Sequence, residues 1–363
     1  MVEMRKFLLT LASLVLMLPL SAQKPGDAAY IIGFYNVENF FDTSHDEGKN
    51  DYDFLPDGRY EWDGKKYGKK LGNIARVLKE VKRETGRYHT ILGLAEVENE
   101  NVLKDIVATA PARKAGYRYV HYESPDRRGI DVALLYRPDQ FTLLDSEKIP
   151  FSFEDCRVPL TIDAKEQAEF RTRDILMVRG LLSGEQVAVY VAHLPSRIGG
   201  KGKDLRSVGA DIIYRHSRQL TQKFPGIRII VMGDMNDDPS DESMSTWLHG
   251  KADLSEVGHE DFFDPFCNVL ADGTGSLAYK GAWNLFDIIM VNSTLAHGAD
   301  GGLRILPVDG GPYYGRVFNK PFLTQQKGEF KGTPFRTFSR GVFIGGYSDH
   351  YPTYIEIGKT QKK

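Results

Sequence analysis

Four apolar runs in this chain each stop on a polar residue, and that recurrence limits the folds open to it. Tyr30 to Val37 closes on Asn36-Val37-Glu38-Asn39, and Ile91 to Ala95 delivers Glu96, Glu98 and Asn99. Val187 to Ala192 leads into His193, and Ile227 to Met232 runs up to Asp234. The runs are short and rich in β-branched residues, which favours strands. Between them, Leu71, Ile74, Ala75, Leu78 and Val81 repeat at helical spacing and give out near Gly86. Val102, Leu103, Ile106 and Val107 suggest a second helix, and Leu205, Val208, Ile212 and Ile213 a third. Strands alternating with helices predict an α/β chain. Polar groups gathered past strand ends predict a site along one edge of its sheets.

Further strands are expected at Tyr117 to Tyr122, Ile130 to Tyr136, Ile175 to Leu182, Phe286 to Val291 and Tyr351 to Ile357. Adjacent strand pairs point to mixed rather than purely parallel sheets. A length of 363 residues suits one large α/β domain or two modest ones. No linker or internal repeat is visible, so a single domain over residues 28–359 is expected. Two polar stretches interrupt the pattern. Residues 42–70, rich in Gly, Asp and Lys, read as a loop insertion. Residues 301–346 mix Gly, Pro, basic and aromatic residues and read as a long surface loop that shapes substrate access.

The N-terminus has the form of an export signal. Arg5 and Lys6 precede the apolar run Phe7 to Leu20, and Leu20-Ser21-Ala22 offers small residues before Gln23. The run is short for a membrane span, though a retained anchor is the competing reading. The expectation is a signal peptide over residues 1–22 and an exported protein, periplasmic or extracellular, with no stable membrane insertion after cleavage. Cys156 and Cys267 are equally open to pairing in an oxidising compartment or to standing as isolated buried thiols. Neither has a metal-ligand spacing. The net charge of −2 supplies no global attraction to polyanions, so any such binding needs a local basic patch.

Several polar residues could carry chemistry. In Gly233-Asp234-Met235-Asn236-Asp237-Asp238-Pro239, a carboxylate and a carboxamide leave a strand together. A simple turn would use the same residue types. A calcium loop would not, because Pro239 takes its Gly position and Ser245 stands where a bidentate Glu is needed. His193 is open to a core reading, yet Ser196, Arg197 and Lys201 follow it, a hydroxyl, a guanidinium and an ammonium suited to phosphate. Asp287 lies inside an apolar run where an unpaired carboxylate is costly to bury. His350, beside Asp349, is the candidate partner, and a solvent-facing strand edge is the alternative for Asp287. A hard metal ion, a water and an anionic phosphorus centre call for groups of these kinds.

Seven segments in order then carry a family resemblance. They are Tyr35 to Asn39, Leu94 to Asn99, Gly129 to Tyr136, His193 to Ser196, Gly233 to Asn236, Asn284 to Asp287 and Ser348 to His350. Together the chain resembles the endonuclease/exonuclease/phosphatase superfamily, the fold group of DNase I and the abasic-site endonucleases. The resemblance implies a four-layer α/β sandwich, two mixed β-sheets flanked by helices. It implies Asn36, Glu96 and Asp349 as metal-site residues, with Glu96 the principal ligand. It implies Asp234 as the group that orients or deprotonates the attacking water, and Asn236 as an amide on the phosphoryl oxygens. His350 is implied to act on the phosphate with Asp287 as its orienting partner, and His193 to be a second site histidine. Ser196 and Arg197 are expected at the substrate phosphate. Mg²⁺ is the expected cofactor and Mn²⁺ its substitute.

The stretches around Asp53 to Pro56, Trp62, Tyr67 to Leu71 and Tyr279 to Trp283 are similar to exported bacterial nuclease-like members. The expected activity is therefore an exported, metal-dependent phosphoester hydrolase, an endonuclease-type phosphodiesterase acting on DNA or RNA. A phosphatase or phospholipase C-type enzyme acting on phosphorylated small molecules, inositol phosphates or lipids such as sphingomyelin is the alternative. A non-enzymatic binding protein has no need of the full polar set. Arg316, Lys320, Lys327, Lys331, Arg336 and Arg340, interleaved with Tyr313, Tyr314, Phe318, Phe322, Phe330, Phe335 and Phe338, read either as a nucleic-acid path or as a solvated loop over a satellite core.

Overall fold

Two strand–helix–strand units, one in each of two packed β-sheets, organise the chain. In the computed structural model, which describes residues 29–197, 202–279, 281–299 and 301–359, the first unit is β1 (Tyr30–Phe40), α1 (Gly64–Thr85) and β2 (His89–Val97). It is followed by α2 (Glu100–Ala108), α3 (Ala110–Ala115), β3 (Arg118–His121), β4 (Asp131–Tyr136), β5 (Phe141–Ile149), α4 (Ala164–Glu169) and β6 (Ile175–Leu182). The second unit is β7 (Glu185–His193), α5 (Lys203–Lys223) and β8 (Arg228–Asp234). Beyond it lie β9 (Gly250–Lys251), β10 (Phe262–Phe263), α6 (Phe266–Ala271), β11 (Leu277–Tyr279), β12 (Ala282–Asn284), β13 (Asp287–Asn292) and α7 (Ser293–His297). The chain closes through β14 (Leu303–Leu306), β15 (Gly315–Val317), β16 (Phe338–Ser339), β17 (Val342–Phe343) and β18 (Thr353–Lys359).

The first sheet has seven strands, in the order β14-β18-β1-β2-β4-β3 with β15 also on β18; the second, also of seven, runs β5-β6-β7-β8-β13-β10-β9. Their centres are built alike. Parallel β1 and β2 lie between antiparallel β18 and β4, and parallel β7 and β8 lie between antiparallel β6 and β13. The fold is thus the expected one, two mixed sheets flanked by helices. Central strands are covered on both faces, which is why they read as continuous apolar runs rather than alternations. The sheets pack through strands including β1, β2, β8 and β13. At Gly93 of β2 the approach is so close that a Cβ would lie 2.5 Å from Sδ of Met232 on β8.

The geometry has a functional consequence. Asn36 and Glu96 sit toward the C-terminal ends of one parallel pair, and His193 and Asp234 end the other. Packing the sheets brings the two pairs of ends together.

Helix α1 corrects one expectation. Residues 64–70 are helical, not loop, because Asp63 caps the helix by accepting from the amides of Lys65 and Lys66 at 3.0 and 2.9 Å. Gly64 and Gly68 masked this start. Burying Ile74, Val77, Leu78 and Val81 contributes about 1.5–3 kcal/mol each. That outweighs the interior glycines, which cost about 1 kcal/mol apiece. The helix then ends on Gly86 in the left-handed region.

Residues 301–346 are more ordered than their composition suggests, since β14 and β15 extend the first sheet along β18. Their aromatic residues mostly face inward. Phe338 and Phe343 pack with Phe54 and Tyr67 around buried Phe41, Trp62 and Ile130, joining this segment to the 42–63 loop. The basic residues are largely paired: Arg316 with Asp309 at 3.0 Å, Lys320 with Glu84 at 2.6 Å and Arg340 with Glu329 at 2.5 Å. The satellite-core reading therefore describes this stretch better than the nucleic-acid path. Strand β5 carries no apolar signature in the sequence, because it is an edge strand with mostly exposed side chains. Cys156 and Cys267 are free thiols. No helix among the described residues is long and apolar enough to cross a membrane. The expected signal peptide, residues 1–22, lies outside the described residues, as do Gly199, Gly200 and Lys201.

Candidate active site

His193, Asp234 and Asp287 form one row across three neighbouring strands. Asp234 is the register partner of His193 on β7 and of Asp287 on β13, so the three side chains emerge at one level and on one face. The opposing sheet supplies Asn36 and Glu96. The turn Ser348-Asp349-His350, just before β18, is tied to β1 by the Ser348 hydroxyl, which donates to the Asn36 carbonyl at 2.7 Å.

Glu96 reaches the site by a departure from regular strand geometry. The β2–β4 register shifts between Ala95 and Val97, and Glu96 has φ 63°. A bulge of this kind re-aims a side chain beside an active site. Glu38, Asn39 and Asn236 also have positive φ. Such backbone costs on the order of 1–3 kcal/mol per residue and persists where the surroundings impose it. Here the Asn39 amide donates to Glu96 Oε2 at 2.6 Å, and the Asn236 amide to Asp234 Oδ1 at 3.0 Å.

Side-chain contacts knit these residues together. Asn36 Nδ2 donates to Asp234 Oδ2 at 2.9 Å and lies 3.4 Å from Glu96 Oε1, so one amide spans two carboxylates. His193 Nε2 lies 3.6 Å from Asp234 Oδ2 and 3.9 Å from Glu96 Oε1. His350 Nδ1 meets Asp287 Oδ2 at 2.7 Å, and its Nε2 is 3.8 Å from Asp234 Oδ2 and 3.9 Å from Asp349 Oδ1. Asn236 Nδ2 donates to the Leu194 carbonyl at 3.0 Å. The sequence-predicted set Asn36, Glu96, His193, Asp234, Asn236, Asp287, Asp349 and His350 thus lies in one contiguous cluster.

The phosphate-loop residues lie differently. Arg197 donates through Nε to the Asn236 carbonyl at 2.7 Å and through Nη2 to Asp237 at 2.8 Å, and it also pairs with Asp241. Its contacts brace the Asp234 loop, leaving the proposed phosphate contact without support from its present partners. Ser196 lines a separate cleft of about 780 Å³ between the 158–173 segment and the start of α5. Asp238 accepts from Asn284 Nδ2 at 2.6 Å and from the Leu285 amide at 2.7 Å, which ties the Asp234 loop to the start of β13.

Further charged residues surround this cluster, and of these only Arg336 stood out in the sequence, as part of the basic and aromatic stretch. Lys70 of α1 is buried, donating to Thr337 Oγ1 at 2.5 Å and the Tyr347 carbonyl at 2.7 Å, with Glu38 Oε2 at 3.8 Å. Arg336 pairs with Asp349 at 2.5 Å. Arg173 donates to the His193 and Leu194 carbonyls at 3.1 and 2.8 Å and to Asp126 at 3.2 Å. Lys70 was hidden in a segment read as loop. Arg173 gave no local signal, because its partners are 20 or more residues away in sequence.

The two histidines are driven apart electrostatically. Burial by itself would depress the His350 imidazole, but Asp287 and Asp234 outweigh it and raise its pKa well above the ordinary value. Burial, reinforced by Arg173 and Arg128, holds His193 well below it. Burial raises Asp234 above the usual carboxylate range despite His350 nearby, making it a better base. Burial opposes the ionised form of Asp349, yet His350 and Arg336 prevail and lower it. Divergent histidines with a basic carboxylate between them suit proton handling.

Glu38, Glu96, Asp234, Asp287 and Asp349 face Lys70, Arg336 and His350, an excess of carboxylates over bases. Hard oxygen donors with surplus negative charge fit a divalent cation. Glu96 and Asp349 are the accessible ones, with side chains 14% and 32% exposed. Asp234, Asp287 and His350 lie close enough together to be ligands as well, but their mutual hydrogen bonding and proton balance suit proton handling better.

Comparison with known proteins bears on the family and the fold. A family model described as the Endonuclease/Exonuclease/phosphatase family matches residues 31–359. No curated protein matches the chain. Among solved structures, an endonuclease/exonuclease/phosphatase family protein from Bacteroides thetaiotaomicron is similar at TM-score 0.56 and 16% identity, covering 92% of this chain and 99% of that one. A mannosyl-6-phosphatase from the same organism gives 0.52 and 15%, covering 90% and 99%. TDP2 from D. rerio, complexed with a single-strand DNA product, gives 0.51 and 15%, covering 91% and 99%.

Proposed function

This chain belongs to the endonuclease/exonuclease/phosphatase family, and from that premise we propose that it is an exported, Mg²⁺-dependent phosphodiesterase that hydrolyses nucleic acid, DNA or RNA. The observation that carries the hydrolytic reading is the row His193–Asp234–Asp287 with His350 held against it. Asp234, made basic by burial, orients a water and takes its proton as the water attacks phosphorus. His350, kept as an imidazolium by Asp287, presents Nε2–H to the charge that develops on the phosphoryl group. The second amide hydrogen of Asn236 is available to a phosphoryl oxygen. His193, held neutral, lines the site as a hydrogen-bonding group. Glu96 and Asp349, with Asn36 beside them, would hold the cation, whose contribution is to neutralise phosphoryl and leaving-group oxygens. Mg²⁺ suits such oxygen donors and Mn²⁺ is its substitute.

A polymeric substrate is supported by where the site opens. Glu96 and Asp349 are its exposed members, and neither lines the cleft of about 780 Å³. A phosphodiester backbone can lie across such a rim without a deep pocket. A second reading, hydrolysis of a phosphorylated small molecule or lipid, is favoured by the internal pairing of Arg316, Lys320 and Arg340, which removes positive charge from the surrounding surface. Export rests on the residue pattern before Gln23.

The deciding experiment incubates the full chain and Mg²⁺ with plasmid DNA, single-stranded DNA, RNA, sphingomyelin and sugar phosphates. Cleavage of nucleic acid that is lost in Glu96→Gln and His350→Ala, both still folded, is the expected result. Turnover of the small esters alone would select the second reading, and no turnover of any substrate would overturn the hydrolase assignment.

A further inference from the structure

We propose that Arg128 is a substrate-contact residue, whose guanidinium binds the non-bridging oxygens of the phosphate seated between Glu96 and His193. The inference rests on the phosphoester-hydrolase reading above and adds a residue to it. Arg128 lies in the turn before β4, where its backbone is fixed. Its amide donates to Asp126 Oδ1 at 2.9 Å, and Gly129, with φ 82°, closes the turn by donating to the Asp126 carbonyl at 3.2 Å. The other Asp126 oxygen accepts from Arg173, and Arg173 holds the His193 and Leu194 carbonyls. One buried ion pair therefore anchors both Arg128 and the end of β7 that presents His193.

The side chain, by contrast, is loosely held. Its nearest acceptors are Asn39 Oδ1 at 3.5 Å and Asp126 Oδ1 at 3.9 Å, and it is 48% exposed. Asn39 is the residue whose amide fixes Glu96. The guanidinium thus stands beside the Asn39 turn that holds Glu96, with most of its five donors uncommitted. A planar fork matches two oxygens of a phosphate in one plane. Arg197, the guanidinium suggested by sequence proximity, is already committed to Asp237, Asp241 and the Asn236 carbonyl.

The test uses the full chain with Mg²⁺, comparing wild type, Arg128→Gln and Arg128→Lys. Hydrolysis of bis(4-nitrophenyl) phosphate gives KM and kcat, and calorimetry gives the affinity for inorganic phosphate. Loss of a charge-assisted pair predicts KM and phosphate affinity weakened about tenfold to a hundredfold in Arg128→Gln. Arg128→Lys, which keeps the charge and loses the fork, should fall between. Unfolding temperatures should match, because the side chain's contacts with Asn39 and Asp126 are long and half-exposed. Unchanged KM and phosphate affinity in Arg128→Gln would overturn the proposal, as would a fall in kcat alone, which would mark an effect passed through His193. If wild type hydrolyses nothing, the hydrolase reading fails, while phosphate calorimetry still decides whether Arg128 binds the anion.

Discussion

Nδ1 of His350 lies 2.7 Å from Oδ2 of Asp287, a carboxylate with no solvent exposure at the start of β13. Asp287 also stands opposite Asp234 in the β8–β13 register, so the partner of the histidine and the basic carboxylate are set by a single strand pairing. The spacing of the two carboxylates that face His350 is thereby held by backbone hydrogen bonds.

Replacing Asp287 with Asn should therefore change the pH dependence as well as the rate. Burial opposes charge on His350, and Asp287 is the leading group that overcomes it. In the native chain the imidazolium persists well above the ordinary value of 6.5 and is lost only at higher pH. Its contribution to stability has the same sign, being full below 6.5 and lost as pH rises through the folded value. Asp287→Asn should move the alkaline limb of the rate profile to lower pH and reduce kcat by about 10²–10⁴. A pH–rate profile on bis(4-nitrophenyl) phosphate checks this, and an unmoved limb would remove His350 from the acid role.

His89 should govern stability on the acid side. It is buried at the start of β2, its Nε2 has no hydrogen-bond partner among the described residues, and burial lowers its pKa to about 4. The unfolded chain binds a proton near 6.5 that the folded chain refuses until about 4, so stability falls as pH drops through that window. The full loss amounts to about 3 kcal/mol. His89→Leu should flatten the decline in unfolding temperature between pH 6.5 and 4. An equally steep decline in the variant would assign the acid lability to other groups.

Much of this was legible in the sequence because buried parallel strands read as apolar runs, and the runs that end β1, β2, β7 and β8 end on site residues. Asp287 was legible too, since a carboxylate inside an apolar run needs a partner. What could not be read were features fixed by contacts distant in sequence. Nothing local to Glu96 announces a bulge; its φ of 63° is held by an amide at Asn39. Arg197 lies beside His193 in sequence, and its commitment to Asp237 and Asp241 comes from a loop some forty residues later. Lys70 fell in a Gly- and Lys-rich stretch whose first helical turn shows no apolar periodicity.

Two glycines at the inter-strand core should differ in their tolerance of a methyl group. At Gly93 the obstructing atom is Sδ of Met232, the end of a flexible side chain that can shift. At Gly233, next to Asp234, the obstruction is the backbone carbonyl of Ala192 on the paired strand. Gly93→Ala should cost about 1–3 kcal/mol. Gly233→Ala should cost more, and should lower activity by displacing Asp234 from His193. Urea unfolding of both variants checks the order, and equal costs would contradict it.

Cation binding at Glu96 should be visible without turnover. A ligand that binds only the folded chain stabilises it by RT ln(1 + [L]/Kd), about 2.7 kcal/mol at a hundred times Kd. Mg²⁺ should therefore raise the unfolding temperature of EDTA-treated wild type, with Mn²⁺ acting alike. Glu96→Gln keeps the size of the side chain and its bond from the Asn39 amide but loses the charge that holds the ion. Its unfolding temperature should not respond to Mg²⁺, and its metal-free stability should equal or exceed wild type, because one carboxylate leaves a cluster already rich in them. A full Mg²⁺ shift in Glu96→Gln would move the cation elsewhere, and the Asp234, Asp287 and His350 cluster would be the next place to look.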